Sequence, residues 1–287
     1  MGKEVKSITI TYLSKVSFAS LNGSDSDADN INTIKKITLE NNEELPYVSS
    51  QAIRRALRDQ LCTLGENLSK ITNSSNTKHP AKTACNPEEY IDDDLFGFMD
   101  ADEETIKRTS PIRVESLIAL SKYQGDLDFG TNLMGTASGG NPNIFETEIH
   151  SGIYRGTILI ELDRIGNGEH FKKELAKDER KKRVQAFLDA FQNLWSSGRQ
   201  SRFLADISPK FIAAALMYSK NPVFLEAVEI PISIKKLKNV ENDYSDFIKS
   251  TCFAAQKEVF SQIEGECQSL KDGFVQIKKW VDEYYGK

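Results

Sequence analysis

Residues 5–21 alternate in character: Ile8, Ile10 and Tyr12 are separated by Ser7, Thr9 and Thr11, and β-branched side chains are frequent. That period of two predicts a long strand. A turn-rich stretch with Gly23 and three aspartates follows over 22–32, and residues 34–39 and 44–48 read as a short hairpin about Asn41 and Asn42. Ser49 or Ser50 is then placed to cap a helix reaching about Leu64, with Ile53, Leu57, Leu61 and Leu64 forming one stripe at helical spacing. Residues 66–107 are polar, aperiodic and acid-rich, which predicts an insertion lying on the surface.

Residues 109–120 read as a strand, although 114–120 also fits a helix. Residues 122–145 hold five glycines and little periodicity, as a long excursion or hairpin tip would. A strand is expected over 149–162 and an amphipathic helix over 177–195, with Val184, Phe187, Leu188, Phe191 and Leu194 inward. Residues 211–218 and 223–234 are expected as strands around Asn221-Pro222, and the chain from about Asp243 onward as helix, broken near Gly265 and Gly273. With the insertions set aside, the order is strand, helix, strand, strand, helix, strand. This is the split βαβ pattern of a ferredoxin-like or RNA-recognition fold, an α+β class that hosts many functions and assigns none.

Composition adds limits. The chain has 287 residues, 39% of them hydrophobic, enough for one large domain with insertions and a proper core. Its longest wholly apolar run, residues 211–218, is far short of the roughly 20 residues of a spanning helix. Residues 1–6 lack the apolar core of a signal peptide, and Lys6 stands where a myristoylation motif wants Ser or Thr, so a cytoplasmic protein is expected. The four cysteines form no CxxC pair or zinc spacing; Cys62 and Cys252 are expected as buried, reduced thiols.

The net charge of −5 argues against a nucleic-acid ligand until its distribution is considered. Nine acidic residues and no Lys or Arg lie between Glu88 and Glu104; without that segment the chain carries +4. Basic surfaces are therefore available elsewhere.

The segment Ser49-Ser50-Gln51-Ala52-Ile53-Arg54-Arg55-Ala56-Leu57-Arg58 is the most informative. Arg54 and Arg58 lie one turn apart, as do Gln51 and Arg55, all off the Ile53/Leu57 stripe. Two hydroxyls and free N–H groups at a helix start favour a phosphate, and the arginines would extend that track. A solvated helix face explains the segment taken alone more simply. Gly198-Arg199-Gln200-Ser201-Arg202-Phe203 suits a loop that cradles a backbone beside one stacking ring, or an ordinary helix exit. Asp25, Asp27 and Asp29 alternate in the loop after the first strand; a divalent metal for phosphodiester cleavage is one reading, a solvated loop the simpler one. His79, His150 and His170 are scattered without ligand spacing, His150 being read as a structural hydrogen-bonding residue, and no Walker A, GxSxG or GxGxxG motif occurs.

Five segments together carry a resemblance: residues 45–58, 93–99 (Asp-Asp-Leu-Phe-Gly-Phe-Met), 107–114 (Lys-Arg-Thr-Ser-Pro-Ile-Arg-Val), 146–152 (Glu-Thr-Glu-Ile-His-Ser-Gly) and 198–205 (Gly-Arg-Gln-Ser-Arg-Phe-Leu-Ala). The chain resembles the DevR-type branch of the CRISPR-associated RAMP proteins, the backbone subunit of type I-B Cascade. The resemblance implies a non-enzymatic, cofactor-free protein with a ferredoxin-like palm over 1–65, 109–121 and 147–234. A finger insertion would occupy 66–108, a thumb-like excursion 122–146 and a helical segment 235–287. It implies further copies of itself, other Cascade subunits, the CRISPR guide RNA and, through the guide, target DNA as partners. On that basis Ser49, Ser50, Gln51, Arg54, Arg55 and Arg58 are the leading guide-backbone contacts, followed by Arg199, Gln200 and Arg202, with Arg113 also a candidate. Leu133, Met134 and Asn141 become base-wedging thumb residues. Related type III subunits cut RNA with an aspartate in the loop after the first strand, which leaves Asp25–Asp29 as the site of an alternative, metal-dependent endonuclease. A stand-alone autoregulator, which the family's older name suggests, is a third reading, unsupported by any helix-turn-helix signature.

Overall fold

The computed structural model describes residues 3–23, 31–71, 82–100, 105–132, 143–195 and 202–286. The alternating first segment forms β1 (Ser7–Ala19), and its two faces serve two layers. Ile8, Ile10, Tyr12 and Val16 enter the larger core, whereas Leu13 enters a second core on the other side of the sheet. Strand β1 lies near the centre of the sheet, flanked by two long strands that run antiparallel to it. In chain order the remaining elements are β2 (Ile31–Asn32), β3 (Lys36–Thr38), β4 (Glu44–Val48), α1 (Ser50–Thr63), α2 (Ile91–Phe96), β5 (Phe98–Asp100) and β6 (Ile106–Arg108). These are followed by β7 (Ile112–Val114), β8 (Leu117–Ala119), β9 (Asp126–Asn132), β10 (Asn143–Glu161), α3 (Lys177–Gln192) and β11 (Phe211–Met217). The chain ends in β12 (Ile232–Ser233), α4 (Ile234–Asp243), β13 (Ile248–Ala255), β14 (Ile263–Glu264), β15 (Gln268–Ser269) and α5 (Leu270–Tyr285).

The main sheet runs β15-β13-β11-β1-β10-β8-β4-β3, with β2, β7 and β9 also pairing with β10. Strand β10 is 19 residues long; its end pairs with β1 in register from Ser7↔Glu161 to Val16↔Gly152, and its beginning forms a hairpin with β9. The larger core gathers α1 (Ile53, Leu57, Leu61), α3 (Val184, Phe187, Leu188, Phe191) and α5 (Phe274, Ile277, Val281) against one face of the sheet. Leu194 and the other four inward positions expected of α3 are all fully buried.

Four expectations are corrected here. Residues 223–234 are mostly turn, with only β12 at their end, and the chain after 243 is not simply helical. Strand β13 lies within it and pairs with β11 from Phe211↔Ala255 to Met217↔Ile248. Its Cys252, Phe253, Ala254 and Ala255 are buried on both faces, so the period-two signal vanishes and alanine mimics helix. Gly273, read as a break, lies inside α5: a Cβ there would stand 2.4 Å from the Ala254 Cβ, so glycine is what lets the helix rest on β13. Cys62 is exposed rather than buried, while Cys252 is buried as expected.

The largest correction concerns the acid-rich insertion. Asp92, Asp93 and Asp94 of α2 are wholly buried. Asp94 accepts from Arg108 Nη2 (2.6 Å), Arg183 Nη1 (2.9 Å) and the backbone N–H of Gly166 (2.9 Å), which has a left-handed φ of 66°. Asp92 accepts from Ser69 N (2.8 Å) and contacts Arg58 Nη2 at 2.5 Å; Asp93 accepts from Asn86 N (2.9 Å). Charge counted along the chain cannot reveal this, because the matching arginines come from α1, β6 and α3.

Removing one member of such a buried cluster leaves the others charged and dry, at about 3–5 kcal/mol. Asp94→Ala is expected to lower unfolding free energy by about that amount in urea titration. A loss within about 0.5 kcal/mol, the range of an ordinary surface change, would refute this account.

Candidate nucleic-acid interface

Helix α1 begins where β4 delivers the chain to the sheet edge. Ser49 is its N-cap, with Oγ accepting from Ala52 N at 3.4 Å. Asn22, just past β1, accepts from Ser49 N (2.7 Å), and Ser116, between β7 and β8, accepts from Ser50 N (3.2 Å). The helix start is thus pinned to the end of β1 and to the turn between β7 and β8. The side chains of Ser50 and Gln51 make no hydrogen bond among the described residues, Gln51 being exposed.

The three arginines that follow differ. Arg55 is 61% exposed and pairs with Asp59 one turn on, at 3.0 Å. Arg54 is half-buried and donates to the carbonyl of Phe96 at 3.4 Å; burial, then the neighbouring charge of Arg58, lowers its pKa. Arg58 is only 18% exposed and is engaged by Asp92. Burial raises the Asp92 pKa despite the Ser69 N–H and the Arg58 charge. Helix α2 therefore orients two of the three cations, and Arg55 is the most exposed of them, paired with Asp59 on its own helix.

Arg202 reaches the β9–β10 hairpin, pairing with Asp128, approaching Thr147 Oγ1 at 3.3 Å and lying over the rings of Phe145 (5.0 Å) and Phe203 (5.3 Å). The half-exposed Phe18 packs on Phe203 with ring centroids 5.3 Å apart. Phe18 closes β1, next to Asn22, so Arg202 and the α1 start share one end of that strand. Arg113 does not join them. It pairs with Leu159 in the ladder, on the sheet face away from α1, and meets the buried Glu161 at 2.6 Å near the start of β1. Arg199 and Gln200 lie outside the described residues, as do Leu133, Met134 and Asn141 and the aspartates Asp25, Asp27 and Asp29.

Sequence reasoning missed Phe18, whose place at a strand end gave no signal, and the exposed stripe on the hairpin. Leu127, Phe129 and Ile144 are each about half exposed on the side of the hairpin opposite Phe145. The alternation of Leu127 and Phe129 with Asp126 and Asp128 would have disclosed it. His150 stands as a structural hydrogen-bonding residue: its Nδ1 lies 2.7 Å from the Tyr154 hydroxyl, and burial lowers its pKa. Among the described residues no group of three or more His, Cys, Asp or Glu could hold a metal ion, and no helix is long and apolar enough to cross a membrane.

A largely antiparallel sheet with α1, α3 and α5 on one face and a long hairpin carried on β10 defines the fold class, and solved structures share it. One chain of a structure described as "CRISPR RNA-guided surveillance complex, pre-nicking" aligns with a TM-score of 0.65 over 96% of this chain and 100% of that one, at 14% identity. A second, "CRISPR RNA-guided surveillance complex", gives 0.60 over 96% and 99%, at 15% identity. A Myxococcus xanthus (strain DK1622) protein, "CRISPR-associated protein Cas7/Cst2/DevR", is 26% identical over 226 residues, 70% of this chain and 68% of that protein. The family model "CRISPR-associated negative auto-regulator DevR/Csa2" matches residues 10–238. The chain belongs to this DevR/Csa2 family.

The two exposed and buried arginines separate in their effects. Arg58→Ala, which strips Asp92 of its partner, is expected to cost about 3–5 kcal/mol of stability; Arg55→Ala, at an exposed i,i+4 pair, is expected to cost less than about 0.5. Equal losses in thermal unfolding would remove the distinction. Glu161 gives a pH test: burial would raise its pKa, but Lys220 at 2.8 Å, with Arg113 and Arg164, holds it below the ordinary carboxylate value. Its contribution is present above the unfolded-state value of about 4.3 and is lost as pH falls through the folded one. Glu161→Gln should flatten the acid limb of the stability profile, and an unchanged limb would count against the cluster.

Proposed function

We propose that this chain is the guide-RNA-binding backbone subunit of a type I CRISPR surveillance complex, of subtype I-B. Several copies would line the spacer and order it for pairing with target DNA, alongside other Cascade subunits. The observation that carries the reading is the α1 start: a capped helix end, two unengaged polar side chains and the exposed Arg55, next to Arg202 and Phe18 at one end of the central strand. Backbone N–H groups, hydroxyls and a guanidinium hold phosphates without reading sequence, while an exposed ring offers a base a stacking face. Base pairing then supplies the specificity.

The strand order β11-β1-β10 followed by β7 and β8, with α1 and α3 on one face, supports a ferredoxin-like palm over 1–65, 109–121 and 147–234. The hairpin of β9 and β10 supports a thumb over 122–146, and α2 with the β5–β6 pair supports a finger over 66–108. Residues 235–287 add β13 to the palm sheet and α5 to its helical layer. In this reading the protein has no catalytic role and no cofactor, and works in the cytoplasm. Ser49, Ser50, Gln51, Arg54 and Arg55 would face the guide, with Arg58 as their support, Arg202 and Phe18 beside them, and Arg199, Gln200, Leu133, Met134 and Asn141 from neighbouring loops.

The test is to co-express the chain with its processed guide and partner subunits and to sequence the RNA that purifies with it. Repeat-flanked RNAs of discrete length in a large particle are expected. Arg55→Ala should weaken binding of single-stranded RNA and reduce the slope of log affinity against log salt by about 0.7, with the melting curve unchanged. An RNA-free particle, or an unaltered slope, would overturn the assignment. Periodic cutting of complementary RNA in magnesium, lost on Asp25→Ala, Asp27→Ala or Asp29→Ala, would replace it with the endonuclease reading.

A further inference from the structure

The arm made by β9 and the start of β10 has one finished face and one unfinished face. On the finished face Phe145 lies across Gly130, where an added Cβ would stand 2.6 Å from the ring. Arg202 lies over that ring at 5.0 Å while it pairs with Asp128. The opposite face carries Leu127, Phe129 and Ile144, which are 53%, 61% and 45% exposed. In the ladder Phe129 stands across from Glu146 and Ile144 across from Thr131, so the apolar side chains share one patch with Glu146 among them.

The outer edge of the arm is open as well. Strand β9 is seven residues long and, among the described residues, pairs with β10 alone. Every second residue therefore turns its backbone N–H and C=O away from β10, towards no described strand. Edge strands are ordinarily guarded against further pairing by a lysine, a proline or a bulge. Strand β9 has none of these: it reads Asp-Leu-Asp-Phe-Gly-Thr-Asn, and its register with β10 is unbroken from Asp126↔Ile149 to Asn132↔Asn143.

Charge selects the occupant. Residues 124–149 contain four carboxylates and no Lys or Arg. Asp128 is paired with Arg202 and Glu148 with Lys36 at 3.0 Å, whereas the carboxylates of Asp126 and Glu146 make no ion pair or hydrogen bond among the described residues. Such an arm repels a phosphodiester backbone and an acidic peptide alike. Successive residues of a strand face opposite ways, so a strand laid beside β9 meets Leu127 and Phe129 on one face and Asp126 and Asp128 on the other. We propose that the outer edge of β9 is a docking site for an extended segment of a partner protein in which apolar residues alternate with Lys or Arg. The backbone of that segment completes the open ladder, its apolar side chains cover Leu127 and Phe129, and its cations meet the carboxylates. None of the residues assigned above to the guide belongs to this surface.

The probe is an acetylated, amidated heptapeptide of alternating Lys and Val, labelled for fluorescence anisotropy and titrated into the full-length protein. Saturable binding is expected, together with slower amide hydrogen exchange across 126–132, because a strand added at the edge protects those N–H groups. The same composition with its lysines grouped, and the alternating peptide with Glu for Lys, should bind at least tenfold more weakly. Excess oligouridylate should leave the bound peptide in place. Leu127→Ser with Phe129→Ser should weaken the Lys–Val peptide at least tenfold in a protein whose melting curve matches the parent. Asp126→Lys with Glu146→Lys should reverse the preference from the Lys peptide to the Glu peptide. If that reversal prevents folding, Asp126→Asn with Glu146→Gln should still weaken the Lys peptide. No binding at millimolar peptide, equal binding of the grouped sequence, unchanged exchange over 126–132, or displacement by oligouridylate overturns the proposal. So does a dimer of the protein alone that is lost on Leu127→Ser with Phe129→Ser, which gives the edge to a second copy. The assay contains no guide RNA, so failure here is separable from failure of the guide-binding assignment.

Discussion

A carboxylate withdrawn from water is tolerated only where donors and positive charge replace its hydration, and Asp94 meets that condition from three directions at once. Arg108 comes from β6, Arg183 from α3 and the N–H of Gly166 from the turn after β10. Each partner is itself occupied further: Arg108 donates to the carbonyls of Arg164 and Asn167, and Arg183 to those of Pro87 and Glu88. The result is a polar knot that joins an inserted segment to the helical layer and to a loop of the sheet. Hydrophobic contact alone is tolerant of sliding; a set of directed charge-assisted hydrogen bonds is not.

The knot has a local consequence for the basic helix. Because α2 is held in place, its Asp92 and the carbonyl of Phe96 stand at fixed points beside α1 and draw in Arg58 and Arg54. What looks along the sequence like an even run of three arginines becomes one exposed cation, paired on its own helix, and two held by α2. A surface of this kind has limited positive potential, in keeping with an acidic protein.

The elements with a clean period were legible in the sequence. Strand β1, the hairpin of β3 and β4, helix α1 with its serine cap, helix α3 and the core of β10 follow directly from alternation or a helical stripe. What escaped was whatever depends on partners distant in the chain. Strand β13 is covered on both faces and so shows no alternation, and Gly273 reads as a breaker until the methyl of Ala254 is placed against it. Three consecutive aspartates read as a solvated surface because the arginines that pair with Asp92 and Asp94 lie up to 89 positions away. In the candidate interface, the residue types were recognisable, but their division into free and restrained arginines was not, since burial and partner geometry are absent from a linear pattern. Arg113 lies on the face away from α1 for the same reason: one step along a strand reverses the direction of a side chain.

Strand β10 runs without interruption from the hairpin into the centre of the sheet, 19 residues in one piece. Its first half is bonded to β9 and β2 and its second to β1, β7 and β8. A protruding arm attached through a loop would swing independently of the body that carries it. This one is a cantilever whose root is the body's own central beam, braced near the root by Arg202 reaching across to Asp128. Load applied at the arm is therefore delivered along continuous backbone into the middle of the sheet.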